Sequence, residues 1–162
     1  MIVSRVELLR LREEWRTTRA RVVFTNGCFD LIHLGHVHYL QQARALGDLL
    51  VLGLNSDSSV QQLKGPLRPL VAEDERALVV AALRPVDYVI IFEEPTAETL
   101  VAELQPNIYV KGGDYSADSG EGKPLPEAEI VRRYGGEVVL IPFLPGHSTS
   151  DLIVKIMNTF SN

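Results

Sequence analysis

Cysteine occurs once, at Cys28, so no intrachain disulfide can form and no cysteine-built zinc site is available. No apolar run reaches the ~18 residues of a membrane-spanning helix. The N-terminus carries Arg5, Arg10, Arg12, Glu13, Glu14 and Arg16 where a signal peptide would need an apolar core. Positive charge is in short supply: 16 Lys and Arg against 21 Asp and Glu leave a formal charge of −5. An acidic chain repels long polyanions, so DNA and RNA are not expected partners. A small phosphorylated ligand stays open, because a local cluster of donors outweighs a diffuse surface charge. The expected location is the cytoplasm. Three familiar signatures are also missing. No G-x-G-x-x-G follows the first β-prone run, Lys64-Gly65 has the wrong order for a P-loop, and no Gly-x-Ser-x-Gly elbow is present.

What is present is an ordinary globular balance, 46% hydrophobic and 23% charged over 162 residues, which suits one domain spanning 1–162. Residues 3–18 predict an amphipathic helix with Val6, Leu9 and Trp15 inward. Residues 21–25 form a β-branched run that stops at Asn26-Gly27. A helical spacing follows over 35–45, with Val37, Leu40, Ala43 and Leu46 on one side and Gly47 as the closing C′ residue. Leu49 to Leu54 is a continuous apolar run, as expected of a strand buried on both faces. The alternation continues with helices near 57–63, 73–83, 96–104, 126–134 and 149–157, and strands at 88–92, 108–110 and 137–141. The Gly-, Ser- and Pro-rich stretch 118–126 is expected to be a mobile surface loop. The predicted fold is α/β: a Rossmann-like, doubly wound parallel sheet of five strands.

Such sheets bind ligands beyond the carboxyl ends of their strands. Three post-strand loops, 25–36, 53–58 and 111–115, hold the unusual residues. In the first, His33-Leu34-Gly35-His36 stands where a helix should begin, and a helix start presents unpaired N–H groups and a positive dipole end to an anion. Gly35 would let a phosphate approach the backbone. A chance His-x-Gly-His is expected only ~0.007 times in a chain of this composition. A surface pair of histidines capping a helix is the plainer alternative, and a zinc site adding His38 is disfavoured by the spacing. Lys64 and Arg68 in the Pro-rich loop, Arg76 in the next helix and Lys111 after a strand are the candidate cations. Lys64 suits a lid cation, and Arg76 could equally pair on the helix surface with Glu73, Asp74 or Glu75. Ser148 or Thr149 is a natural N-cap of the last helix, and its hydroxyl can also face a phosphate. Asp30 and Asp114 are the candidate carboxylates; each could instead be a turn residue.

Asn26-Gly27-Cys28-Phe29-Asp30 leading into His33-Leu34-Gly35-His36, with Ser148-Thr149 late in the chain, resembles the cytidylyltransferase-like nucleotidyltransferases over about 20–158. Within them, Gly53-Leu54-Asn55-Ser56-Asp57, Leu63-Lys64-Gly65 with Arg68-Pro69, Lys111-Gly112-Gly113-Asp114-Tyr115 and Gly135-Gly136-Glu137-Val138 look like the adenylyltransferase branch that makes ADP-heptose. The resemblance implies catalytic roles for His33, His36 and Lys64. It implies nucleotide contacts from Asn26, Gly27, Cys28, Phe29, Gly35, Lys111, Gly113, Ser148 and Thr149, and substrate contacts from Asp30, Asn55, Arg68, Arg76 and Asp114. Glycerol-3-phosphate cytidylyltransferases carry Arg-Thr-Glu-Gly before the late Ser-Thr; here the stretch is Phe143-Leu144-Pro145-Gly146, and the arginine is missing. The usual Ser-Thr-Thr reads Ser148-Thr149-Ser150. No sugar-kinase half lies within these residues, so any heptose kinase is expected to be a separate protein.

The expected partners are ATP and a sugar 1-phosphate, with D-glycero-β-D-manno-heptose 1-phosphate first. Mg²⁺ is carried mainly by the nucleotide phosphates, no metal site is expected on the chain itself, and the protein is expected to be a homodimer. The rivals are a CTP enzyme acting on glycerol 3-phosphate or a similar phosphomonoester, and a non-catalytic nucleotide sensor. A class I tRNA synthetase fragment lacks its Lys-Met-Ser-Lys-Ser-like loop here.

Overall fold

The computed structural model describes residues 1–113, 115–116 and 123–160. Its element order is α1 (Arg5–Thr18), β1 (Val22–Gly27), α2 (Leu34–Arg44), β2 (Leu49–Asn55), α3 (Asp57–Lys64), α4 (Glu73–Ala81), β3 (Tyr88–Phe92), α5 (Glu98–Leu104), β4 (Ile108–Gly112), β5 (Tyr115–Ser116), β6 (Lys123–Pro124), α6 (Pro126–Arg133), β7 (Glu137–Ile141) and α7 (Thr149–Phe160). Five strands form one parallel sheet in the order β3-β2-β1-β4-β7, and β5 pairs with β6 in a two-residue ladder apart from it. The predicted five-stranded sheet is therefore found. Its strand order reverses between β1 and β4, where such folds open a crevice. The expected mobile loop over 118–126 falls mostly outside the described residues, and its described end is β6 and the start of α6.

The period-two alternation of the strands divides the core between the two faces. Val22 and Phe24 of β1, with Val51 of β2 and Tyr109 of β4, meet Leu8 and Trp15 of α1, Leu100 and Leu104 of α5 and Val131 of α6. Val23, Leu50, Leu52, Leu54 and Val110 face the other way, toward Leu40 and Ala43 of α2 and Ala77 and Val80 of α4. Every residue of β2 is buried, as its unbroken apolar run requires.

Local chemistry starts the helices. Ser4 caps α1 by accepting from the Glu7 N–H, Ser56 caps α3 by accepting from Ser59 N–H, and Pro126 occupies the first turn of α6. Two expectations are corrected. The inward face of α1 is Leu8, Arg12 and Trp15, spaced by four and three, while Val6 is 81% exposed and Leu9 only half-buried. The charge on Arg12 hid that face: its guanidinium crosses the helix interface and donates to the carbonyls of Leu104 and Gln105, at 2.9 and 2.8 Å, satisfying the end of α5. Gly47 is not a left-handed cap, since α2 ends on Ala45 in right-handed geometry. Gly47 is needed for space instead, because a Cβ there would come within 2.5 Å of the Arg21 carbonyl.

The buried Arg12 is the testable consequence. Arg12→Ala removes two charge-assisted hydrogen bonds and strands two carbonyls, so urea unfolding is expected to show a loss of about 3 kcal/mol. Arg10→Ala, on the exposed face, is expected to leave the midpoint unmoved.

Candidate active site

Beyond the carboxyl ends of the five strands lies a cavity of about 770 Å³. That is toward the upper end of ordinary small-molecule sites and leaves room for two substrates. Its lining draws on the loop after β1, the ends of β2, α3 and β4, the start of α6 and the segment 142–151.

The histidine pair sits where the sequence placed it. His33 is the N-cap residue of α2, extended at φ −143° and ψ 174°, and its side chain does not cap the helix. His36 lies in the first turn, its ring 3.9 Å from that of His33 and 5.2 Å from Phe29. Both Nδ1 atoms are buried without a hydrogen-bond partner among the described residues. A plain capping role therefore does not describe them, and His38 points away from the pair to Gln42. Burial depresses both histidines. Desolvation, then the proximity of His33 and Lys64, brings His36 down to about 4. Desolvation and His147 lower His33, with Asp151 opposing them. Both imidazoles are neutral at neutral pH, each with one N–H to give and one bare nitrogen.

The loop that delivers them is strained and tightly packed. Phe29 adopts a left-handed φ of 45°, which a phenylalanine rarely holds. That turns its ring over Gly27, where a Cβ would meet it at 3.0 Å. Gly35 is similarly crowded: a Cβ would lie 2.8 Å from the His147 carbonyl. The segment before α7 is thus laid directly on the first turn of α2. There Ser148 Oγ accepts from the Asp151 N–H at 3.0 Å, so the predicted cap is found.

The carboxylate and the cations sort differently from expectation. Asp30 makes neither an Asx turn nor a bond to histidine. It reaches across the chain to accept from Arg68 Nε at 2.7 Å and from the N–H groups of Leu70 and Val71. Burial opposes its ionisation, but the Leu70 N–H, the Arg68 guanidinium and the Val71 N–H outweigh it and hold the carboxyl below its usual range. Arg68, so anchored, keeps a buried Nη2 without a partner among the described residues. Lys64 is the exposed last residue of α3 and lines the cavity. Lys111 is buried, its Nζ donating to the Asn26 carbonyl and side-chain oxygen at 3.0 and 2.8 Å, which ties β4 to β1.

Arg76 is corrected outright. It does not line the cavity and has no surface partner among its acidic neighbours. Its guanidinium is fully buried and donates to the carbonyls of Val71, Cys28 and Asn55 and to Asp57. It binds the loops behind the site together. Gly113 packs on Pro142, and its neighbour Gly112 lines the cavity instead. Asp114 lies outside the described residues. Asn26, Gly27, Cys28, Phe29, Asp30, Gly35, Asn55, Arg68, Ser148 and Thr149 line the cavity with the histidines. Thr96 and Glu127 line it as well and were missed. Glu127 follows Pro126 in a stretch that reads as an ordinary helix start, and only the fold carries it to the ends of the strands. Among the described residues no cluster of three metal-ligating side chains occurs. No helix among them is long and apolar enough to cross a membrane.

An α/β sheet that opens beside paired, neutral histidines at a helix start, with cations around them, belongs to the nucleotidyltransferases. The cytidylyltransferase-like family profile matches residues 24–155, and the chain is a member of that family and an enzyme of nucleotidyltransferase type. It is 52% identical over 160 residues to the Bifunctional protein HldE of Pelobacter propionicus, covering 99% of this chain and 32% of that protein. It is 55% identical over 147 residues to the protein of the same name from Trichlorobacter lovleyi, covering 91% of this chain and 29% of the other. The chain thus spans about a third of the length of the curated relatives it matches. Among solved structures, the lipopolysaccharide core biosynthesis protein from Thermoplasma volcanium superposes with a TM-score of 0.60 at 30% identity, over 77% of this chain and 97% of that one. Pantothenate synthetase from Thermus thermophilus shares the fold, with a TM-score of 0.56 at 22% identity over 88% of this chain and 62% of that one.

The histidine environment makes a direct prediction. In nucleotide-free protein the His36 ring protons are expected to titrate by NMR with a midpoint near 4. Because this folded-state value lies below the ordinary 6.5, the unfolded chain binds the proton first. Stability is therefore expected to fall as pH drops from 6.5 toward 4, and His36→Gln is expected to flatten that slope in urea titrations. A His36 midpoint at or above 6.5 would contradict the burial argument.

Proposed function

We propose that the protein joins ATP to a sugar 1-phosphate, D-glycero-β-D-manno-heptose 1-phosphate, giving ADP-heptose and pyrophosphate. The observation that carries the reading is the stacked His33–His36 pair, with unpartnered ring nitrogens, at a helix start inside the cavity. The heptose assignment is supported by the relatives of about 50% identity named HldE and by the Lys111-Gly112-Gly113-Asp114-Tyr115 stretch. The missing arginine in 143–146 favours ATP over a CTP reaction of the glycerol-3-phosphate type.

In this reading an oxygen of the sugar phosphate attacks the α-phosphorus of ATP in line. The bond from that phosphorus to the β-phosphate bridging oxygen breaks, and pyrophosphate leaves. The attacking group is already ionised at neutral pH, so no protein base or nucleophile is needed. Catalysis is positioning plus charge stabilisation. Neutral His33 and His36 give ring N–H donors to the α-phosphate and the leaving group without protonating the nucleophile. Lys64 and Lys111 supply positive charge. Ser148, Thr149 and the starts of α2 and α7 offer hydroxyl and backbone donors to the terminal phosphates. Of the carboxylates that line the cavity, Asp30 is committed to Arg68 and two backbone N–H groups, and neither Glu127 nor Asp151 belongs to a cluster of three metal-ligating side chains among the described residues. The residues present therefore suit a Mg²⁺ that is held by phosphate oxygens, where it would neutralise the charge of the departing pyrophosphate. The protein works in the cytoplasm, consistent with its single unpaired cysteine. It forms a homodimer, a reading supported by the apolar side chains of α7, where Val154, Ile156, Met157 and Phe160 are all exposed.

The decisive assay measures pyrophosphate release over ATP and CTP with heptose 1-phosphates, glycerol 3-phosphate and other phosphomonoesters. ATP with the heptose phosphate is expected to dominate; CTP turnover selects the cytidylyltransferase reading, and no turnover at all selects a sensor. His33→Ala or His36→Ala is expected to lower kcat about 10²–10³-fold. Full activity in either folded variant rejects its assigned role. Sedimentation equilibrium should give a dimer that Met157→Glu or Phe160→Glu dissociates; a monomeric wild type refutes it.

A further inference from the structure

The cavity wall is chemically divided. Donors and cations reach the cavity from the loop after β1 (His33, His36), from β4 (Lys111), from the segment before α7 (Ser148) and from the β2–β3 crossover (Lys64, Arg68). Where the β3–α5 junction meets the start of α6, the wall changes character. Glu127 lines the cavity there although it is only 4% exposed. Its one hydrogen bond among the described residues comes from the Ala97 N–H to Oε1 at 2.9 Å, beside the start of α5, and it has no ion pair there. A buried carboxylate with so little compensation is costly to hold and marks a group kept for a ligand. Two further polar side chains of the lining keep acceptor capacity. Thr96, just before Ala97, donates its hydroxyl hydrogen to Glu98 at 2.7 Å, which leaves oxygen lone pairs to accept. Asn55, 3% exposed at the end of β2, gives its NH₂ to Ser59 Oγ at 2.9 Å. The Glu127 carboxylate repels a phosphate, whereas sugar hydroxyl groups bring the donors that it accepts from.

We propose that Glu127, with Thr96 and Asn55 on the same cavity lining, holds the hydroxyl groups of a polyhydroxylated sugar, and that Glu127 determines acceptor specificity. The assignment rests on the adenylyltransferase reading and deepens it. The two walls orient the acceptor, with its phosphate drawn to the cationic side and its polyol to the carboxylate. An acceptor that lacks the outer hydroxyls leaves Glu127 buried and unsatisfied, which discriminates more strongly than a merely loose fit.

The test is Glu127→Gln, which keeps an oxygen for the Ala97 N–H and so preserves the local fold, with Glu129→Gln on the exposed face as control. Pyrophosphate release is followed at saturating ATP with the sugar 1-phosphate varied, and again with ATP varied. The expected result is an acceptor KM raised about tenfold to a hundredfold, with kcat and the ATP KM within about twofold of wild type. The same variant is expected to narrow the preference for a heptose 1-phosphate over a hexose 1-phosphate that lacks the outermost hydroxyl. A purely structural carboxylate would be rescued by glutamine. Wild-type acceptor KM in Glu127→Gln, or a parallel rise in the ATP KM, therefore overturns the assignment while leaving the adenylyltransferase intact. A wild-type protein that turns over no sugar phosphate brings down the underlying reading and this one with it.

Discussion

One buried charge holds the catalytic end of the sheet together. The Arg76 guanidinium gathers the Cys28 carbonyl from the loop after β1, the Asn55 carbonyl and Asp57 from the β2–α3 junction, and the Val71 carbonyl from the Pro-rich segment. Three loops that share no secondary structure are fixed to one planar group. Such a fork is strong because its donors are charged and its planar geometry serves several acceptors at once. Remove it, and four acceptors are left without their charged donor behind the site. The strained Phe29, held at a left-handed φ next to Cys28, belongs to the same arrangement, since only a well-braced loop can sustain that backbone.

Asp30 extends the brace forward. By taking Arg68 and two backbone N–H groups it ties the Pro-rich loop to the loop after β1 and keeps Arg68 on the cavity lining. In the proposed reaction, this is how a chain of net charge −5 would hold a polyanion. The field that matters is local, set by a few fixed donors inside a low-dielectric pocket, and the surface acids lie behind water and salt. The histidines fit the same logic. Desolvation keeps them neutral, so they contribute oriented N–H dipoles and leave the permanent charge to lysine and arginine.

Much of this was legible from residue order. The alternation of β-branched runs with helical spacings located all five strands of the main sheet, and β3 and β7 fall on the predicted residues 88–92 and 137–141. The His33–His36 spacing put both rings at one helix start, because a separation of three brings side chains onto one face. Other residues misled for a common reason: their charge implied solvent. Arg76 was read as a ligand-facing or surface-paired group and Arg12 was left off the inward face of α1, yet both are buried and donate to backbone carbonyl groups. Asp30 read as a substrate contact or a local turn residue, and its partners lie about forty positions on.

Residue order by itself determined the class of fold, the place of the loop that leads into α2 and the pairing of its histidines. Those depend on local periodicity and on groups within one turn of each other. Tertiary structure alone decided which charged residues face the ligand and which brace the fold. It also brought Glu127 from α6 and Thr96 from the β3–α5 loop to one wall. A side chain's role follows from what surrounds it, and in a parallel sheet those surroundings come from crossovers that unite residues far apart along the chain.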